Sequence, residues 1–201
     1  MTDDTLPFRP RGLDTDFTEV RAALRHRTIV LVGLMGVGKS SVGRRLATAL
    51  DLPFRDADHE VEAAAGCTIP EIFAEMGEGA FRDGERRVIA RLLDEPPHVL
   101  ATGGGAFVNE ETRALINPHA ISVWLKADIA LLARRVGRKD TRPLLKDRDP
   151  IEVLAELAEA RNPAYAQAQV HVQTGDTPHA VAVDAVISAL RDRLDQESFK
   201  P

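Results

Sequence analysis

The sequence predicts a three-layer α/β domain, a five-stranded parallel sheet with helices on both faces, and three observations carry that prediction. Its 201 residues, 44% hydrophobic and 28% charged, suffice for one well-buried core and are too few for two domains of ordinary size. Short apolar runs alternate along the chain with amphipathic stretches, the pattern of strands joined in parallel through crossover helices. The runs themselves are unbroken and β-branched, "TIVLV" above all, as expected of strands covered on both faces.

Taken in order, residues 1 to about 15 carry Pro7, Pro10 and Gly12 among charges and show no apolar period, which predicts a mobile stretch. "DFTEVRAALRH" (16–26) suits a short helix with Phe17, Val20 and Leu24 on one face. We therefore read 1–27 as a partly mobile leader, 28–194 as the single domain and 195–201 as a tail. "TIVLV" (28–32) is the first strand and "KSSVGRRLATAL" (39–50) the helix behind it. Pro53 and Phe54 open a second short strand that runs to Asp56. Thr68 and Glu71 form a capping box ahead of "IPEIFAEMG", and an amphipathic stretch follows from Glu78 to Asp94. Next come the strand "HVLAT", the helix "EETRALIN", the strand "AISVWLKA", the helix "DIALLARRV" and a polar segment from Gly137 to Pro150. The helix "IEVLAELAEAR", the strand "VHVQT" and a closing helix from Pro178 to Leu194 complete the series.

One connection carries a phosphate-binding signature. "GLMGVGKS" (33–40) fits G-x-x-x-x-G-K-[ST] between an apolar strand and an amphipathic helix, the context its mechanism needs. Gly33, Gly36 and Gly38 let successive backbone N–H groups face one anion, and Val37, Lys39, Ser40 and Ser41 complete the stretch against a nucleotide. Lys39 is placed to reach the β- and γ-phosphates of ATP and Ser40 to ligate Mg²⁺. A generic ATPase would carry a carboxylate after the third strand, where this chain has "VLATGGG". Its acidic pair, Asp56 and Asp58, lies after the second strand, on one face while the chain stays extended. Such a pair can orient Mg²⁺ through water and face an acceptor hydroxyl; a simple turn at the strand end is the competing reading.

A second set of residues points to an acceptor. "GEGAFRDGERR" sets Arg82 and Glu85 three apart on one helical face, and Arg161 in "EARNPAY" precedes Pro163, which is expected to stop its helix close by. Two arginines aimed at one pocket make a bidentate clamp for a carboxylate, although arginines on helices are usually solvated and convergence is not legible in a sequence. Together the phosphate loop, "DAD", "FR", "GGG", "RPLL" and "RNPAY" resemble, in order and spacing, the shikimate kinases, over residues 28 to about 190.

That resemblance implies an Mg²⁺-dependent kinase of P-loop type, transferring the γ-phosphate of ATP to the 3-hydroxyl of shikimate on the route to aromatic amino acids. It implies that Asp58 takes the hydroxyl proton, that Arg82 and Arg161 clamp the carboxylate, and that Glu85 fixes Arg82. Gly103, Gly104 and Gly105 would lie against the shikimate ring, where any Cβ would take substrate volume. Asp56 would be the outer partner of Mg²⁺, and Arg135 and Pro178 would sandwich the adenine. The segment of about 137–150, with five basic residues in "GRKDTRPLLKDRDP", would be a mobile lid carrying Arg142 to the γ-phosphate. Ala57 and Met35 depart from the usual family residues without removing a functional group.

The formal net charge of −5 gives no basic field for nucleic acid, no run reaches the length of a membrane span, and the lone Cys67 fits a reducing compartment. The opening residues resemble neither a secretory signal nor a transit peptide, so a cytoplasmic protein is expected, with a monomer the simplest state. The alternatives are another small-molecule kinase, such as a gluconate kinase, which has no use for both "GGG" and "RPLL", and a nucleotide switch, for which no partner-facing element is present.

Overall fold

A computed structural model describes residues 14–24, 27–137 and 148–198. Within them β1 (Thr28–Val32), β2 (Phe54–Asp56), β3 (Val99–Ala101), β4 (Ala120–Lys126) and β5 (Val170–Gln173) form one parallel sheet in the order β2-β3-β1-β4-β5. The predicted α/β class, strand number and parallel pairing are those observed. β1 lies centrally, paired Ile29 to Val99 on one side and Ile29 to Ile121 on the other, and all five of its residues are buried. Its unbroken apolar run has this cause: each side chain meets a helix layer whichever way it points.

The strand order reverses beside β1, so the connections leaving β1 and β3 diverge and open a crevice at the carboxyl ends of the strands. Eight helices connect and cover the strands among the described residues: α1 (Asp14–Leu24), α2 (Lys39–Ala49), α3 (Ala57–Ala65), α4 (Ile69–Leu93), α5 (Glu110–His119), α6 (Ile129–Val136), α7 (Pro150–Tyr165) and α8 (His179–Ser198). Phe17, Val20 and Leu24 of α1 are buried, and α1 and α2 both pack on α8. α8 runs on past Leu194 to Ser198.

Local chemistry explains most boundaries. The Thr68 N–H donates to Glu71 Oε2 at 2.7 Å, the capping contact that starts α4. Gly77, at φ 79° and ψ 174°, breaks α4 before the segment that carries Arg82 and Glu85. Asn109, Asp128 and Asp149 cap α5, α6 and α7 through their side chains. Pro163 does not stop α7, which continues to Tyr165. The proline forfeits one backbone bond near the helix end, and the anchoring of fully buried Tyr165 offsets that loss. Among the described residues no helix is long and apolar enough to cross a membrane.

Candidate active site

The phosphate loop leaves β1 at Gly33 and enters α2 at Lys39. Gly33, Gly36 and Gly38 have φ of 135°, 83° and 101°, all in the region that penalises a Cβ. A Cβ on Gly33 would also stand 2.5 Å from the Leu125 carbonyl oxygen. Gly38 is the N-cap of α2 and supplies no side chain, so the first N–H groups of the helix face outward as donors for an anion. The Val37 side chain is buried, leaving its backbone to the loop. The Lys39 ammonium donates to the carbonyls of Gly33 at 2.7 Å and Leu34 at 3.1 Å, which folds it over the loop. Ser40 Oγ donates to Asp56 Oδ2 at 2.7 Å.

Contrary to the expectation from their spacing, Asp56 and Asp58 do not share an extended stretch, since β2 ends at Asp56 and α3 begins at Ala57. Asp56 is the N-cap of α3, and its Oδ1 accepts from the Asp58 N–H at 3.2 Å. The chain turns helical there because the aspartate supplies the missing acceptor. The turn gives Asp56 two jobs, one oxygen capping α3 and the other holding Ser40. Asp58 stands inside the crevice, its carboxyl raised above the usual aspartate range by burial and by Asp56, with Lys39 opposing.

The glycine triplet after β3 is where the dispersed residues meet. A Cβ on Gly103 would stand 2.6 Å from Glu85 Oε1 and 3.0 Å from Asp58 Oδ1. On Gly104 it would lie 3.2 Å from Arg161 Nη1 and 3.8 Å from the Gly33 carbonyl oxygen, and on Gly105 3.3 Å from Arg82 Nη1. Both arginines, both carboxylates and the root of the phosphate loop therefore surround one bare stretch of backbone. Beyond the substrate volume expected from the sequence, an added Cβ would meet the side chains of the site itself.

Glu85 also differs from expectation. Arg82 pairs with Glu78, one turn earlier, its Nε at 3.0 Å from Oε1. Glu85 is instead buried, and burial together with the Asp58 charge lifts its carboxyl to about 7 against the pull of Arg82 and Arg161. Its influence on Arg82 is electrostatic rather than a direct ion pair.

At the other end of the crevice Arg135 Nη2 donates to the Gly175 carbonyl at 2.7 Å, in the β5–α8 connection that carries Pro178. The Arg135 charge also helps to hold His179, the next residue, below its ordinary pKa, after burial and Arg45. A Cβ on Gly38 would lie 3.9 Å from His179 Cε1, so His179 joins this end, and no sequence signal had marked it. Arg142 lies outside the described residues, as does the expected lid apart from its two ends. Tyr165 is a further omission: its hydroxyl donates to the Gly104 carbonyl, and the Arg161 charge acts on it. The available signal was an aromatic residue one turn after an arginine.

Comparison with known proteins identifies the family of the chain. The family model for shikimate kinase matches residues 35–191. A shikimate kinase of Caulobacter vibrioides (strain NA1000 / CB15N) is 73% identical over 191 residues, covering 95% of this chain and 96% of that protein. One from Bradyrhizobium diazoefficiens is 53% identical, covering 96% and 92%. Among solved structures, shikimate kinase from Acinetobacter baumannii in complex with shikimate superposes with a TM-score of 0.78 at 35% identity, over 90% of this chain and 99% of that one.

Proposed function

This chain belongs to the shikimate kinase family, and from that premise we propose how its residues divide the work. Its activity is ATP-dependent phosphorylation of shikimate, and of the alternatives left open by the sequence neither the gluconate kinase nor the switch is retained. In the proposed division the phosphate loop and the open N-terminus of α2 hold the ATP phosphates, with Lys39 on the β- and γ-oxygens. Arg82 and Arg161 take the acceptor carboxylate, the backbone of Gly103 to Gly105 faces its ring, and Asp58 accepts the 3-hydroxyl proton. The observation that carries this division is the convergence of Asp58, Glu85, Arg82 and Arg161 on the glycine triplet beside Gly33.

Burial suits Asp58 to its part. A carboxylate raised above its usual range is a better proton acceptor than a solvated one, and the Lys39 charge opposes that rise. Phosphoryl transfer asks little covalent help of a protein, so alignment of the 3-hydroxyl with the γ-phosphate is the main task. Arg142 would add positive charge at the γ-phosphate, and Arg135 with Pro178 would bracket the adenine.

Mg²⁺ fits the Ser40 and Asp56 pair, whose oxygens are 2.7 Å apart and hard donors of the kind that ion selects. Among the described residues no group of three or more His, Cys, Asp or Glu could hold a metal unaided, so phosphate oxygens and water would complete the shell. When bound, the ion supplies charge neutralisation across the transferring phosphates. The same reading makes the protein a cytoplasmic monomer without nucleic-acid or membrane partners, supported by its net charge of −5 and single cysteine.

Arg161→Lys tests the clamp. An ammonium cannot reproduce the planar fork, and the shikimate KM should rise about ten- to a hundredfold with the ATP KM little changed. An unchanged shikimate KM in a coupled ADP assay would remove Arg161 from the acceptor site.

A further inference from the structure

We propose that Tyr165 is a positioning residue for the acceptor, its hydroxyl fixing the Gly104 peptide beside the Arg161 guanidinium before shikimate arrives. The proposal rests on the assignment of Arg161 to the acceptor carboxylate. Tyr165 is fully buried, and burial lifts its phenol above the ordinary tyrosine range, so it stays a neutral donor. The hydroxyl donates to the Gly104 carbonyl, and the same peptide lies against Arg161, whose Nη1 would be 3.2 Å from a Cβ on Gly104. A ring that only filled space would need no hydroxyl, and burying one without partners is costly.

The ring reaches further. It packs on Trp124 of β4 with centroids 5.8 Å apart, and a Cβ on Gly33 would lie 3.4 Å from Trp124 Cδ1. The aromatic pair therefore braces the glycine triplet against the root of the phosphate loop. Arg113 fastens the neighbouring backbone to the same end of α7. Its Nη1 donates to the carbonyls of Phe107 at 3.0 Å and Val108 at 3.1 Å, and its Nε to Gln167 Oε1 at 2.9 Å. Gly104, which lies against Arg161 Nη1, thus has little freedom to move away from it, and Tyr165 holds its carbonyl.

Tyr165→Phe keeps the ring and removes the hydroxyl. The shikimate KM should rise about fivefold, as loss of one buried hydrogen bond implies, while the ATP KM and kcat each stay within about twofold. An unchanged shikimate KM, or a parallel rise in both KM values with a lowered melting temperature, overturns the proposal. Should the variant not fold, Tyr165 is the only tyrosine in the chain, so growth on 3-fluorotyrosine places one fluorine probe there in otherwise native protein. Its ¹⁹F resonance should shift on adding shikimate alone; an unmoved resonance overturns the proposal. Arg161→Lys in parallel separates the two failures: if it too leaves the shikimate KM unchanged the clamp is wrong, and if it alone raises KM only the role of Tyr165 falls.

Discussion

The two ends of the crevice are built on opposite plans. At the phosphate end, six consecutive residues between β1 and α2 set the geometry, and the groups that would face the nucleotide are largely backbone N–H donors pointed by glycine conformations. At the acceptor end the working groups are side chains from α3, α4 and α7, held around the backbone after β3. The first is a local structure that a short sequence specifies by itself. The second exists only when four separated segments are folded together, and there the titrating groups are driven from their ordinary values, Glu85 furthest. Contiguous backbone fixes an anion by shape; dispersed charges in a buried site acquire their chemistry from one another.

That contrast can be broken most severely at Asp58. Asp58→Asn removes the proton acceptor while leaving the loop untouched, so turnover should fall about 10²- to 10⁴-fold with ATP affinity nearly intact. Wild-type turnover in that variant would take Asp58 out of the chemistry. Gly103→Ala sharpens the contrast within the acceptor end. Its methyl would crowd Glu85 and Asp58 at once, at 2.6 and 3.0 Å, whereas that of Gly105→Ala would meet only the tip of Arg82 at 3.3 Å. We expect kcat/KM for shikimate to drop about 10²-fold in the first, since small misplacements are costly, and only a few-fold in the second. Equal losses in steady-state assays would show that backbone freedom, not crowding of carboxyls, explains the triplet.

The smallest effect concerns stability. The Glu85 carboxyl is raised from 4.5 to about 7, so the folded protein keeps a proton that the unfolded chain releases. Stability must therefore fall as pH rises between those values, and the cost is complete above the upper one. Glu85→Gln carries no such proton. Its advantage over wild type in denaturant unfolding should grow across that window by at most about 3 kcal/mol. A constant difference at all pH would mean that Glu85 titrates alike in the folded and unfolded chain.

The same division decides what was legible in the sequence. β1, the phosphate loop and α2 could be read because their signals are contiguous and their burial is uniform. Asp56 and Asp58 were legible as a pair, yet their backbone was not: whether an aspartate ends a strand or caps a helix depends on which N–H comes to it, and here it is that of Asp58. Glu85 and Glu78 lie on the same face of one helix as Arg82, three residues after and four before it, and spacing gave no means of choosing. Pro163 broke the rule for helix ends because Tyr165, whose partner lies in another segment, holds the last turn. The convergence of Arg82 and Arg161 rested on family resemblance, since no local pattern encodes a meeting across such sequence separation.

Trp124 is the single tryptophan of the chain, and it sits beneath Lys126, whose ammonium is 3.9 Å from the ring centroid, with Tyr165 and Gly33 at its edges. Its indole emission therefore originates from one known spot at the junction of the two ends. The enzyme thus carries a built-in optical probe, and its emission is expected to change as either substrate arrives, which stopped-flow fluorescence would time without a label.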